Sequence, residues 1–297
     1  MIEGFYTAVA TPINPDGSLC ESGYRREIEQ QISAGAAGIL VMGSMGLLGC
    51  APEWEYEKII SVACDTISGR VRILVGASDN SLARVRDRIN IINKYPVDVV
   101  VMTAPYYELL TPDLLVSFFE RCAAMTQKDF YIYDLFVLTK HKITLPMMLK
   151  LVQKPNIKGI KSGDLELIKD LFDLERSEES NALRKDFLPI FSGSNLFCIA
   201  NTYGIKNYLD GIFSCFPSTM SKIQKAFNCQ DYEGARYWMD RMMHVRDVML
   251  NDSLWPMFSY AMNLLGCEGY FGPDYDLEAT DEQKVVIRAL MQDLGEI

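Results

Sequence analysis

The sequence predicts a (β/α)8 barrel carrying a C-terminal helical extension, and three observations lead there. Short β-rich runs alternate with amphipathic helical stretches through the first three quarters of the chain. A strand start recurs roughly every 20 to 35 residues, the length of one strand-plus-helix unit of a parallel barrel. Beyond residue 229 the strand signal stops and only helical periodicity remains.

Phe5–Ala10 reads as the first strand and Glu21–Ala34 as the first helix. Ile39–Met42 is a short apolar run bounded by glycine, and Glu53–Ile67 is a helix with an acidic start behind Pro52. Arg72–Val75 with Leu82–Lys94, and Asp98–Thr103 with Pro112–Met125, form the next two units, their helices opened by Ser, Thr or Pro. Phe130–Leu135 precedes Leu145–Val152, Ile157–Ser162 precedes Leu165–Leu174, Phe187–Ser192 precedes Asn195–Thr202, and Tyr208–Ser214 precedes Pro217–Phe227. Asp231–Asn251, Leu254–Leu264 and Asp281–Leu294 follow as helices, with Pro256 and Pro273 as punctuation. The expected organisation is a catalytic barrel over 1–228 and helices packed on it over 229–297. No fixed repeat, low-complexity tract or Gly/Ser linker cuts the chain into independent domains. An open doubly wound sheet would need a Gly-rich phosphate turn after an early strand, and Gly43-Ser44-Met45-Gly46 does not match that spacing.

Composition narrows the function. At 297 residues, 49% apolar and 23% charged, the chain can bury a large core within one domain. A formal net charge of −10 and a pI near 4.8 argue against nucleic acid or anionic membrane as partner, because those surfaces bind clustered Lys and Arg. Apolar runs are short and broken by Gly or Pro, so no membrane span is expected. Met1-Ile2-Glu3-Gly4 opens no secretory signal, and a cytoplasmic setting is expected. Eight cysteines lack paired spacing, which suits reduced thiols. With only His141 and His244, neither beside a Cys- or carboxylate-rich cluster, no metal site is expected.

Four features fall at the carboxyl ends of the expected strands, the face where barrel enzymes build their sites. Lys161, in Gly159-Ile160-Lys161-Ser162-Gly163, shares a strand face with Ile157 and Gly159, so it can project into the barrel mouth with little bulk beside it. Burial there disfavours the ammonium form of a lysine and leaves an amine able to attack a ketone. By itself the position reads rather as an exposed lysine at a strand end. Tyr133, in the same phase as Tyr131, places a phenol that can pass protons to or from an oxygen near an imine; alone, it reads as a packed aromatic. Gly43, Ser44, Met45 and Gly46 form a turn whose N–H groups and Ser44 hydroxyl can cradle a carboxylate; alone, the pattern reads as an ordinary tight turn. Pro105-Tyr106-Tyr107 carries two phenols pointing different ways, at least one toward the mouth or a partner subunit. Ser192, Ser194 and Asn195 add polar capacity after the seventh strand.

Taken with Gly4-Phe5-Tyr6-Thr7-Ala8-Val9-Ala10-Thr11-Pro12, these motifs in this order resemble the dihydrodipicolinate synthase/N-acetylneuraminate lyase family across the barrel. The resemblance implies a homotetrameric or homodimeric class I aldolase, with pyruvate held as a covalent imine on Lys161 and no other cofactor. It implies that Tyr133 relays protons, that Ser44 and the Met45 N–H hold the pyruvate carboxylate, and that Tyr107 extends the relay across a subunit boundary.

The departures fall where the second substrate is chosen. The family's Gly-Thr-Thr-Gly-Glu or Gly-Ser-Thr-Gly-Glu is Gly43-Ser44-Met45-Gly46-Leu47 here, with one hydroxyl and one carboxylate lost. The synthases' Tyr-Asn-Val-Pro-x-Arg-like segment reads Tyr133-Asp134-Leu135-Phe136-Val137-Leu138, without the arginine that grips aspartate semialdehyde. Each charge-assisted hydrogen bond so lost costs about 1.5 to 3 kcal/mol. Lys140 is a weak substitute. Where sialic acid lyases place acids after strand seven, this chain has Ser192-Gly193-Ser194-Asn195, and the segment after Lys161 is shortened to Ser162-Gly163-Asp164. The expectation is therefore reversible carbon–carbon cleavage between pyruvate and an aldehyde, from a 2-keto-3-deoxy sugar acid or N-acetylneuraminate-like substrate. The alternatives are a dihydrodipicolinate synthase and a degenerate barrel that binds a 2-oxo acid without turnover, the latter motivated by Met45, Leu47 and Phe136.

Overall fold

The computed structural model describes residues 3–177, 183–276 and 278–297; Met1 and Ile2, part of the stretch read for a secretory signal, lie outside them. In chain order the elements are β1 (Gly4–Ala8), α1 (Glu21–Ser33), β2 (Gly38–Val41), α2 (Tyr56–Ile67), β3 (Arg72–Gly76), α3 (Leu82–Ile92), β4 (Val99–Thr103) and α4 (Pro112–Ala123). They continue with β5 (Asp129–Asp134), α5 (Phe136–Thr139), α6 (Leu145–Leu151), β6 (Ile157–Ser162), α7 (Leu165–Arg176), β7 (Leu188–Phe191), α8 (Phe197–Thr202) and β8 (Asn207–Asp210). Helices α9 (Pro217–Asn228), α10 (Tyr232–Asn251), α11 (Leu254–Leu264) and α12 (Asp281–Leu294) complete the chain. The strands follow chain order around a closed barrel, so the fold is the (β/α)8 barrel with C-terminal helices.

Cα proximity groups the chain into two compact units. One runs from Ile73 to Leu209 and joins β4, β5, β6 and β7 in parallel, the β5–β6 register shifting between Phe130 and Tyr131. Its strand β4, Val-Val-Val-Met-Thr, is buried throughout, as expected of a parallel strand covered on both faces. The helix caps are local: Thr111 accepts from Leu114 N–H at 3.4 Å with Pro112 in the first turn, and Asp164 accepts from Leu167 N–H at 3.1 Å. The other unit comprises Gly4–Arg72 and Asp210–Ile297, with β1 paired to β2, α1 beside α2, and α10 against α9. There Thr280 and Gln283 form a reciprocal capping box at α12, which ends on Gly295 at φ +71°.

Large and small residues alternate across the strand pairs. Tyr6 lies opposite Gly38, and Tyr131 opposite Gly159. A Cβ on Gly38 would sit 2.6 Å from the Tyr6 ring, and one on Gly159 would sit 2.9 Å from the Tyr131 ring. Both tyrosines are buried, so each ring fills the space its neighbour's missing side chain leaves.

Two local differences from the sequence expectation stand out. The run 208–214 is a strand only as far as Asp210; Ile212–Cys215 is a 3-10 turn, opened where Asp210 Oδ1 accepts from Ile212 N–H at 3.1 Å. The segment after β5 forms the four-residue helix α5, closed by Lys140 at φ +59° with its N–H on the Phe136 carbonyl.

Candidate active site

Lys161 and Tyr133 stand one residue from the ends of neighbouring strands, in direct register. The strand phase that places Lys161 on the Gly159 face also leaves it 5% exposed, and its Nζ stands 3.9 Å from the centroid of the Tyr133 ring. Tyr133 is itself buried. Among the described residues no carboxylate forms an ion pair with this lysine. A buried amine packed on a phenol ring has the ingredients for carbonyl attack with a proton donor at hand.

The next residue on each strand braces this pair. Ser162 Oγ donates to Asp134 Oδ2 at 2.7 Å and accepts from Asp164 N–H at 3.0 Å. Lys142 bridges the two acids, hydrogen-bonded to Asp164 and 3.7 Å from Asp134 Oδ2. Burial pushes the Asp134 carboxyl above its ordinary range, against the pull of the Ser162 hydroxyl and the Lys142 ammonium. Burial also works to raise Asp164, but the Lys142 ammonium and the Leu167 N–H together outweigh it and hold that carboxyl low. The β6–α7 connection is thereby tied to β5 within three residues of Lys161. Nothing local in the sequence marks this network.

At the end of β4, the Tyr106 and Tyr107 N–H groups both donate to Asn80 Oδ1, at 2.8 and 3.0 Å. Asn80 follows the buried Asp79, which pairs with Arg88 at 3.2 Å and Arg84 at 3.0 Å. The same loop is held from the other side by His141, whose Nε2 accepts from Leu110 N–H at 2.7 Å. Tyr107 is 82% exposed, so its ring lies at the surface of this unit, and Tyr106 is also exposed. Asn80 was not singled out in the sequence; its place after β3, at the carboxyl end of a strand, was the available signal.

After β7, Ser192 N–H donates to the Ser162 carbonyl at 2.9 Å, and Ser192 Oγ lies 3.8 Å from where a Cβ on Gly163 would stand. Ser192 therefore belongs beside the end of β6. Ser194 is buried at the start of a 3-10 turn, whereas Asn195 is exposed.

In the other unit, the turn after β2 is wound tightly. Met42 and Leu47 have φ of +52° and +58°, and a Cβ on Gly46 would lie 2.9 Å from the Met42 backbone, so glycine is required there. Leu48 N–H closes the turn on the Gly43 carbonyl at 3.3 Å. Thr11 Oγ1 donates to the Gly46 carbonyl at 2.7 Å, a brace from the segment after β1 that sequence reading missed. The Met45 side chain packs onto Gly211, where a Cβ would come within 1.8 Å of its Cγ. Met45 can thus offer a ligand its backbone N–H while its thioether is spent on packing. Among the described residues no group of three or more His, Cys, Asp or Glu is arranged to hold a metal ion. No helix is long and apolar enough to cross a membrane.

Residues 1–285 match the model of the dihydrodipicolinate synthetase family. The chain belongs to this family. This dihydrodipicolinate synthetase family chain is 24% identical over 295 residues to the 4-hydroxy-tetrahydrodipicolinate synthase of Methanosphaera stadtmanae, covering 98% of each sequence. It is similar in structure to YagE of E. coli K12, a prophage protein of the dihydrodipicolinic acid synthase family solved in complex with pyruvate, with a TM-score of 0.87, 18% identity and 99% of each chain covered. It is also similar to CdNal from Clostridium difficile, solved in complex with mannosamine, with a TM-score of 0.88, 16% identity and 99% of each chain covered. At these identities the structural matches speak for the fold. Members of the family are pyruvate-dependent class I aldolases and lyases, which places the chain among enzymes.

Proposed function

We propose that the chain is a class I aldolase that makes or breaks a carbon–carbon bond between pyruvate and an aldehyde, with Lys161 as the imine-forming amine. The observation that carries this reading is the buried Lys161 Nζ 3.9 Å from the Tyr133 ring centroid at the register-paired ends of β5 and β6. The amine adds to C2 of pyruvate, and the Tyr133 hydroxyl gives a proton to the departing oxygen so that water leaves and the iminium forms. Loss of a C3 proton gives the enamine, whose carbon attacks the aldehyde; the new alkoxide takes a proton, and water releases product and free lysine. Cleavage is the same sequence reversed. By resemblance, Ser44 and the Met45 N–H, with Gly43 allowing close approach, take the pyruvate carboxylate, and Tyr107 extends the proton relay from a second copy. The imine on Lys161 serves as the electron sink, so neither metal nor organic cofactor enters this scheme.

For the aldehyde partner we favour a 2-keto-3-deoxy sugar acid or an N-acetylneuraminate-like compound as the substrate cleaved. Helix α5 carries Phe136, Val137 and Leu138, 50%, 67% and 59% exposed, where a synthase would carry its arginine. The two nearby lysines are committed elsewhere: Lys140 Nζ donates to the Val137 carbonyl at 2.6 Å, and Lys142 joins Asp134 to Asp164. A neutral polyhydroxy aldehyde asks less of this rim than aspartate semialdehyde does, and Ser192, Ser194 and Asn195 offer hydroxyl and amide partners after β7. The names of the relatives favour the second reading, condensation of pyruvate with aspartate semialdehyde. The apolar side chains of Tyr106, Tyr107, Leu109 and α5, exposed within one unit, support a homo-oligomer, dimer or tetramer. Eight free cysteines accord with a cytoplasmic setting.

Incubation with pyruvate and borohydride, followed by peptide mass spectrometry, tests the proposal. A reduced pyruvate adduct on Lys161 is the expected result, and an unmodified Lys161 would overturn it. A turnover screen then separates the readings: cleavage of sugar acids supports the first, condensation with aspartate semialdehyde the second, and an adduct without turnover a 2-oxo-acid-binding barrel.

A further inference from the structure

Helix α1 turns an unusual face inward. Its buried residues are Gly23, Tyr24, Glu27, Ile28 and Gln31, so two long polar side chains occupy positions where a barrel helix ordinarily presents aliphatic ones. Both are fully buried. Gln31 is satisfied: its Oε1 accepts from Thr7 Oγ1 at 2.8 Å and its Nε2 donates to the Ser214 carbonyl at 3.0 Å. Glu27 Oε1 accepts from Ala10 N–H at 2.9 Å. Its other oxygen is less well placed. Glu27 Oε2, Ser214 Oγ and the Tyr24 hydroxyl all lack a partner of good hydrogen-bond geometry, although the Ser214 hydroxyl lies close enough to favour the ionised acid electrostatically. Burial dominates and pushes the Glu27 carboxyl up to about 8. The titratable groups facing it are Tyr24 on α1, Cys215 in the turn after β8 and Cys267 after α11, all raised by burial; none is a cation.

Ala10, the residue Glu27 holds, is followed by Thr11, whose hydroxyl donates to the Gly46 carbonyl at 2.7 Å. A continuous line therefore runs from the α1 carboxyl through the segment after β1 to the turn at residues 43–47. We propose that Glu27 is a positioning residue for that turn, fixing it through Ala10 and Thr11 so that its N–H groups stay aimed at the carboxylate of a 2-oxo acid. The inference rests on the reading that this turn takes the carboxylate. As the neutral acid, Glu27 fits its surroundings. As the anion, it is a buried charge facing one N–H and the Ser214 hydroxyl with no cation, and burial outweighs both, a state relieved by admitting water or displacing the side chain. Either loosens Ala10 and the turn beyond it, so capture of the 2-oxo acid weakens as pH rises through the titration of Glu27.

The test compares wild type with Glu27→Gln, which keeps an acceptor for Ala10 and a donor in place of the acid proton but has no proton to lose. The half-saturating pyruvate concentration for borohydride trapping is measured between pH 6 and 9.5, with Lys161 chemistry common to both proteins. The wild-type value should rise severalfold relative to Glu27→Gln above pH 8. Superimposable profiles would overturn the inference. Hydrogen exchange of the peptide spanning residues 38–50, corrected for intrinsic rates, reads the link without substrate: wild type should lose protection relative to Glu27→Gln above pH 8, and equal protection would overturn it. Should Glu27→Gln not fold, Thr11→Val cuts the same line further along and should raise half-saturation severalfold at every pH; an unchanged value would overturn the inference. Absence of any adduct in wild type would instead sink the Lys161 reading, with the exchange experiment still deciding the role of Glu27.

Discussion

Tyr133 and Lys161 share a register pair, and the lysine nitrogen lies over the phenol ring rather than beside a carboxylate. The ring and the hydroxyl of Tyr133 therefore have separable tasks. Tyr133→Phe keeps the ring and should cost no more than the loss of one hydrogen bond, about 0.5 to 1.5 kcal/mol of stability. Removal of the proton donor should slow imine formation by about a hundredfold or more at saturating pyruvate. Rapid-quench trapping of the Lys161 adduct measures this, and an unchanged rate would assign the proton transfer to another group.

Gly159→Ala tests the packing behind Lys161. The added methyl would meet the Tyr131 ring at 2.9 Å and the Leu188 carbonyl at 2.8 Å, one of them rigid backbone. Overpacking of this kind costs about 1 to 3 kcal/mol. The expected outcome is a lower urea midpoint with an unchanged denaturant slope.

Ser162→Ala removes the hydroxyl that bonds the Asp134 carboxyl and receives Asp164 N–H. A buried acceptor left without its donor costs about 1 to 3 kcal/mol. Thermal denaturation should show that loss, and Asp134, deprived of the hydroxyl that opposes its burial, should titrate higher still. Carbon-13 NMR of labelled aspartate would report the direction.

Glu27 should leave a mark on stability as well as on binding. Its carboxyl titrates at about 8 in the folded chain, while an unfolded glutamate titrates at about 4.3. The folded state thus favours the proton. That contribution is complete below the unfolded value and is lost as pH climbs through the window up to about 8. Relative to Glu27→Gln, wild type should lose up to ~1.4 kcal/mol per pH unit across the window and nothing more beyond it. Urea midpoints of the two proteins at pH 5, 6.5 and 8 decide the matter; parallel values would show the carboxyl to be hydrated rather than buried.

Asn80→Ala removes the acceptor shared by the Tyr106 and Tyr107 N–H groups. Both groups are exposed enough for water to replace Asn80, so the stability loss should stay near 1 kcal/mol. Turnover should fall further than stability, several-fold, if the placement of Tyr107 serves the reaction; equal adduct-formation rates would confine Asn80 to a structural role.

The strands were legible because apolar runs at regular spacing leave few alternatives, and β6 was read at its observed limits, Ile157–Ser162. Strand alternation also gave Lys161 and Tyr133 a defined face, since period two leaves only two choices, and the two side chains meet. Helix α5 was not legible, because four residues are too short to show periodicity. The apolar stretch after Leu209 looked like more strand, but the Asp210 carboxylate captures Ile212 N–H and turns the chain. Asn80, Thr11 and Glu27 escaped for a different reason. Each acts through a hydrogen bond to a residue 17 to 35 positions away, and no local pattern announces such a partner.

The facing of Tyr131 with Gly159, and of Tyr6 with Gly38, ties each residue's freedom to change to that of its mate. A lineage cannot enlarge either glycine without first trimming the ring across from it, and a trimmed ring leaves a void until the glycine grows. Neutral drift is thereby blocked one step at a time, and within each of these facing pairs the two positions should change together.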